Sequence, residues 1–157
     1  GAVTMVVNDP SIYGHSLAFN QDSTVLYIGT IGSSGTIYQQ PLDADLNAVG
    51  SPTVYATGVG AGYHDGLEID ECGNLYAADY STRGFYRVDT AGNVTTMVAA
   101  DSTGYGHGAK WGSGLGGWRD DAIYQPQPYA GDTVREVVIG FHSGDTVRTW
   151  NGVPAPL

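Results

Sequence analysis

His64-Asp65-Gly66-Leu67-Glu68-Ile69-Asp70-Glu71-Cys72-Gly73-Asn74-Leu75-Tyr76-Ala77-Ala78-Asp79 holds two short apolar runs on either side of an Asp-Glu-Cys-Gly-Asn turn. Short runs divided by Gly and Asn read as an antiparallel hairpin, because these residues tolerate the left-handed backbone a tight turn demands. A third run follows at Arg83-Gly84-Phe85-Tyr86-Arg87-Val88-Asp89. After a second turn, Ala91-Gly92-Asn93, a fourth runs from Val94 to Val98. The alternation in Phe85-Tyr86-Arg87-Val88 fits strands with one face buried. Residues 57–99 thus read as a four-stranded unit.

The same order of four runs recurs on both sides. Upstream, residues 8–56 hold Gly14–Phe19, Thr24–Gly29, Gly35–Asp43 and Thr53–Ala56. Downstream, residues 100–151 hold a looser copy: Gly106–Trp111, Asp121–Tyr124, Asp132–Val138 and Asp145–Trp150. Gly-Asp-Thr-Val-Arg occurs at 131–135 and again at 144–148, as if opening two neighbouring strands. Copies recurring every ~40–50 residues have the spacing of β-propeller blades. Ala2–Val7, leading to Tyr13-Gly14-His15, resembles Val94–Val98 leading to Tyr105-Gly106-His107, so residues 2–7 read as the last strand of a preceding blade.

The expected fold is therefore all-β. It comprises about three four-stranded propeller blades plus one extra N-terminal strand, in a single partial domain over residues 1–157. A β-sandwich would not repeat four distinct strand types in order. Closed propellers use about four to eight blades, so the remaining blades are expected from a second copy, another chain or a removed segment; two copies would make a six-bladed ring. The chain opens at Gly1 and not at Met, as expected of a processed or truncated product.

Composition limits the ligand. The formal net charge is −10 and Lys110 is the only lysine, which argues against nucleic acid and anionic membrane surfaces. A metal cation or a small neutral or cationic ligand is compatible. No stretch reaches the ~20 apolar residues of a membrane span. The acidity suits a soluble secreted protein, giving an extracellular or periplasmic expectation. The single cysteine, Cys72, lies in a turn and has no internal disulfide partner.

Aligning the copies places His15, Asp65 and His107 at one equivalent position, two residues before Leu17, Leu67 and Ala109. Residues that lead into the innermost strand sit at one mouth of a propeller's channel, so these three are expected to face a common axis, with His64 beside Asp65. Two imidazoles and a carboxylate form a reasonable set for zinc, iron or manganese, and a poorer one for calcium, which wants oxygen ligands. Such an ion could acidify a bound water, with Asp65 or a neighbour taking the proton. Alternatively, the histidines are repeat residues that hydrogen-bond neighbouring loops. Tyr27, Tyr76 and Tyr124 read as blade core, Trp111 and Trp150 as packing between blades, and Trp118, in a glycine-rich loop, as exposed. Asp70, Asp79 and Asp89 read as turn stabilisers.

His64-Asp65-Gly66-Leu67-Glu68-Ile69-Asp70 followed by Gly73-Asn74-Leu75-Tyr76-Ala77-Ala78-Asp79 resembles a blade signature of the senescence-marker-protein/gluconolactonase/regucalcin family. His15-Ser16-Leu17-Ala18-Phe19 with Asp22 and Leu26-Tyr27 resembles its preceding blade, and Gly114–Trp118 through Ile123-Tyr124 its closing blade. Strictosidine-synthase-like and NHL-repeat propellers carry related blades. The likeness covers the family's C-terminal half and implies a six-bladed propeller with a divalent metal in the channel, where Asp65 would be both ligand and general base. The family's Asn ligand position falls at His15, and its first-blade Glu has no counterpart. The implied activity is metal-dependent hydrolysis of a small lactone or ester. The alternatives are a non-catalytic propeller serving binding or assembly, and a zinc lyase: His15-Ser16-Leu17-Ala18 and His64-Asp65-Gly66-Leu67 also resemble channel motifs of the peptidylamidoglycolate lyase propeller.

Overall fold

The computed structural model describes residues 5–32, 34–99, 106–129 and 131–144. Every strand element among them is β. The first sheet is β1 (Gly14–Phe19), β2 (Val25–Thr30), β3 (Ile37–Pro41) and β4 (Thr53–Ala56). The second is β5 (His64–Ile69), β6 (Leu75–Asp79), β7 (Gly84–Val88) and β8 (Val94–Val98). The third holds β9 (Lys110–Trp111), β10 (Ala122–Gln127) and β11 (Thr133–Val138). Each sheet is an antiparallel meander in chain order, and β1 packs against β5 and β5 against β9, so the first strands of successive sheets lie side by side. That is the arrangement of propeller blades. The strand read over Asp145–Trp150 lies outside the described residues, as does Trp150. Of the strand read over residues 2–7, Met5–Val7 are described and stand outside the named strands.

Strand alternation decides the packing. On β2, Tyr27 faces the second blade, joining Leu67, Ile69, Leu75 and Ala77 in one core cluster. Leu26 and Ile28 face the other way, where Val6, Val7 and Ile12 pack on them. On β6, Tyr76 and Ala78 face the third blade and meet Ala109, Ile123 and Val137. The middle blade is thus covered on both faces, and all five residues of β6 are buried. The end blades are covered less completely: on the outer face of the first, Val6, Val7 and Ile12 bury Leu26 and Ile28 but leave Leu17 59% exposed, and Val138 of the third blade is 49% exposed. Trp111 bridges blades as expected, donating its indole N–H to Ile69 O (3.0 Å) and meeting Tyr76 edge-on. Tyr124 is only half-buried; its hydroxyl donates to Glu136, and Trp118 lies edge-on against its ring.

The turns at the ends of β5 and β7 share one device. Asp70 accepts hydrogen bonds from Cys72 N, Asn74 N, Asn74 Nδ2 and Tyr76 OH. Asp89 accepts from Ala91 N, Asn93 N and Asn93 Nδ2, and Asp43 repeats the pattern with Asp45 and Asn47. The residue before each Asn is left-handed: Gly73 at φ 84°, Gly92 at φ 83°, but Leu46 at φ 62°.

Candidate functional site

Two irregularities build the site. Between β1 and β2, Gly14 pairs with Thr30 and Ser16 with Gly29, so His15 is an extra residue in the ladder. Between β5 and β6, His64 pairs with Asp79 and Gly66 with Ala78, so Asp65 is the extra residue there. A β-bulge of this kind frees one residue from pairing and re-aims its side chain. The third blade reaches the same point differently: Gly108 is left-handed at φ 64°, and His107 N donates to Pro126 O (2.9 Å) just ahead of β9. Gly66 lets the blades close up, because a Cβ there would collide with the backbone of Gly108 and Ala109.

These features bring three of the four candidate residues together. Asp65 lies between two imidazoles: its Oδ1 is 3.4 Å from His15 Nδ1, and its Oδ2 is 2.5 Å from His107 Nδ1. The Asp65 side chain is 12% exposed, against 32% for His15 and 36% for His107. His15 Nδ1 also lies 3.2 Å from the backbone oxygen of His64. The contact of Asp65 with His107 is close but is not aligned as a hydrogen bond, and both Asp65 Oδ2 and His107 Nε2 are buried without a hydrogen-bond partner.

His64, the fourth candidate, is placed elsewhere. Its ring is fully buried between the first two blades. Thr30 N–H donates to its Nδ1 (3.1 Å), and its Nε2–H donates to Val59 O (2.7 Å). Burial pushes its imidazole below the ordinary value, which favours the neutral ring, and the Thr30 N–H at Nδ1 and the Val59 oxygen at Nε2 fix that tautomer. Both ring nitrogens are committed to the backbone, so this histidine joins blades and offers no free donor.

A chain of rings surrounds the carboxylate: His15 meets Tyr63 (5.2 Å between centroids), Tyr63 meets Tyr80 (5.0 Å), Tyr80 meets His107 (5.0 Å) and His107 meets Tyr129 (5.3 Å). These tyrosines were not among the sequence candidates. For Tyr63 a signal existed: a tyrosine stands two residues before each site residue, as Tyr13, Tyr63 and Tyr105; Tyr80 and Tyr129 follow no such spacing.

As placed, the cluster does not fit a metal ion. Among the described residues no three His, Cys, Asp or Glu side chains are set to hold one. Two donors bound to one ion at ~2.1 Å lie roughly 3.3 Å apart in a tetrahedral site. The His15–Asp65 separation allows that, but the 2.5 Å between His107 Nδ1 and Asp65 Oδ2 does not. What the arrangement provides is a carboxylate shared by two imidazoles, which is an acid–base device.

Known proteins bear on the reading. Three solved structures share the fold. One is regucalcin from Agrobacterium tumefaciens str. C58, titled a calcium-binding protein (21% identity, TM-score 0.68, covering 93% of this chain and 51% of that one). The second is a luciferin-regenerating enzyme (18%, TM-score 0.62, covering 83% and 46%). The third is a gluconolactonase from Xanthomonas campestris (17%, TM-score 0.59, covering 77% and 36%). The chain thus spans about half or less of each of these proteins. No curated protein sequence matches it. Residues 2–104 match the family described as the SMP-30/gluconolactonase/LRE-like region, which takes in the first two blades and both bulges. By that match, which spans well over half of its residues, the chain belongs to the SMP-30/gluconolactonase/LRE-like family.

Proposed function

We propose that this chain carries the catalytic mouth of a lactonase-type hydrolase that opens a small uncharged lactone or ester. The observation behind this reading is the carboxylate of Asp65, nearly enclosed between His15 and His107 where three successive blades begin. Such a cluster can take a proton from water as the water oxygen bonds to the carbonyl carbon. It returns the proton to the leaving oxygen as the carbon–oxygen bond breaks. Family membership supports the same reaction class. The formal charge of −10 disfavours anionic substrates. The test is hydrolysis of δ-valerolactone and D-glucono-δ-lactone by the wild-type chain and by Asp65→Asn. Turnover by the wild type and a loss of about 10²–10⁴-fold in the variant are expected; wild-type rates no higher than buffer defeat the reading.

A divalent cation is the second reading, favoured by the unmade bonds at Asp65 Oδ2 and His107 Nε2. Zinc, manganese or iron suits an imidazole–carboxylate pair better than calcium does. Such an ion would compete with His107 for Asp65.

The outer face of the first blade supports a further proposal: other blades cover it, supplied by a second copy or another chain. Leu17, Phe19, Leu26 and Ile28 line an apolar groove of about 420 Å³ there. An uncovered apolar surface of this kind favours association. A solution mass of 16.4 kDa for the chain, unchanged up to high concentration, would exclude self-association.

A further inference from the structure

We infer that the basic atom at this mouth is Nε2 of His15, and that Asp65 is a positioning residue holding both neighbouring imidazoles with the proton on Nδ1. The role in hydrolysis rests on the function proposed above; the proton assignment does not.

The donors and acceptors around each ring decide where its proton sits. His15 Nδ1 has two neighbours, the backbone oxygen of His64 at 3.2 Å and Asp65 Oδ1 at 3.4 Å. A carbonyl and a carboxylate only accept, so a bare lone pair on Nδ1 would face two oxygens with nothing shared between them. The proton therefore sits on Nδ1, and the lone pair of the neutral ring sits on Nε2. His107 Nδ1 faces Asp65 Oδ2 at 2.5 Å; the contact is not aligned as a hydrogen bond, but a bare lone pair there would be repelled by the carboxylate, so the proton belongs on this Nδ1 as well. The two rings then part company. His107 Nε2 is buried without a partner, whereas His15 is an exposed residue whose polar contacts to the described residues all run through Nδ1. His15 thus presents its base to the mouth, and His107 turns its base inward.

This assignment reverses the role expected of Asp65 from the family likeness. Water would give its proton to His15 Nε2 while its oxygen bonds to the carbonyl carbon. The imidazolium so formed keeps Nδ1–H against Asp65 and the oxygen of His64. It then returns the Nε2 proton to the leaving oxygen as that carbon–oxygen bond breaks.

The test uses the full chain labelled with ¹⁵N at its four histidines. Long-range ¹H–¹⁵N correlation, recorded above pH ~8 where histidine is ordinarily neutral, reads the tautomer of each ring directly. His15 and His107 are expected with the proton on Nδ1. His64 serves as an internal control with the opposite tautomer, because Thr30 N–H occupies its Nδ1. A proton on Nε2 of His15 overturns the inference, and this measurement needs no variant. In Asp65→Asn, whose amide can donate, at least one of the two rings is expected to shift its proton to Nε2; unchanged tautomers in a folded Asp65→Asn protein overturn the positioning role. Kinetically, His15→Gln is expected to cost at least as much in kcat/KM as Asp65→Asn. Activity retained in His15→Gln but lost in Asp65→Asn makes Asp65 the base and overturns the assignment. If the wild type shows the expected tautomers but hydrolyses nothing, the hydrolase reading fails and the proton assignment stands.

Discussion

The two ends of the blades use carboxylates in opposite ways. At the far end, where β5 and β7 turn back, Asp70 and Asp89 accept every hydrogen bond their turns offer. At the mouth, Asp65 is nearly as enclosed as Asp70, yet its Oδ2 lacks an aligned hydrogen bond. A buried polar atom left unsatisfied is costly, and folds keep such atoms where something other than stability is served. Asp70 and Asp65 lie on one strand and its turn, five residues apart in sequence, and differ in what surrounds them rather than in chemistry.

The sharpest test of that contrast is Asp65→Asn. Lactone hydrolysis should fall about a thousandfold, while the unfolding free energy in urea should change by less than about 1 kcal/mol. A large stability loss would place Asp65 with the turn carboxylates. Asp70→Ala is the mirror experiment. It strands four donors at a buried site, so about 3 kcal/mol of stability should be lost, with kcat per folded molecule unaltered. Acid titration separates the ends further. The side chain and backbone of Asn93 hold the Asp89 carboxyl below the ordinary carboxylate range. A depressed folded value means that the stabilisation is complete above the unfolded value of ~3.9 and is lost as pH falls through the folded value. The gap in melting temperature between wild type and Asp89→Ala should therefore stay constant from pH ~8 to ~5 and close toward pH ~3.

Smaller effects test the same comparison. Leu46 holds the left-handed position that Gly73 and Gly92 hold in the sister turns. Leu46→Gly should stabilise by at most about 1 kcal/mol, since relief of the strained backbone is partly offset by unfolded-state entropy. Treatment with EDTA should leave kcat/KM within about twofold if the carboxylate–imidazole cluster acts unaided. A collapse on chelation, reversed by zinc or manganese, would favour the divalent-cation reading.

Much of this was legible in the sequence because blades repeat. Strand alternation placed Tyr27 and Tyr76 in the core, and the Gly-Asn pairs announced the turns. The convergence of His15, Asp65 and His107 followed from aligning the copies. What the sequence hid depends on local register. Nothing in His64-Asp65 says which side chain is the extra residue of a bulge, yet that one-residue offset buries His64 between blades and turns Asp65 to the mouth. Tyr124 departs from the repeat rule: it is only half-buried, and its hydroxyl meets Glu136 on the adjacent strand of its own sheet. The partners of His15 were also invisible, because a backbone oxygen contributed by the next blade leaves no mark in side-chain pattern.

The bulges have a consequence for how such a mouth can change. A side chain that takes no part in the ladder can be replaced without disturbing the pairing on either side of it. The first two blades have used that freedom to install an imidazole in one socket and a carboxylate in the other, upon otherwise similar strands. Exchanging the occupants, as in a His15→Asp/Asp65→His double variant, should therefore leave the sheets intact while rewriting which ring accepts a proton. Chemistry at this rim is modular in a way that the middle of β5, buried from Gly66 to Ile69, cannot be.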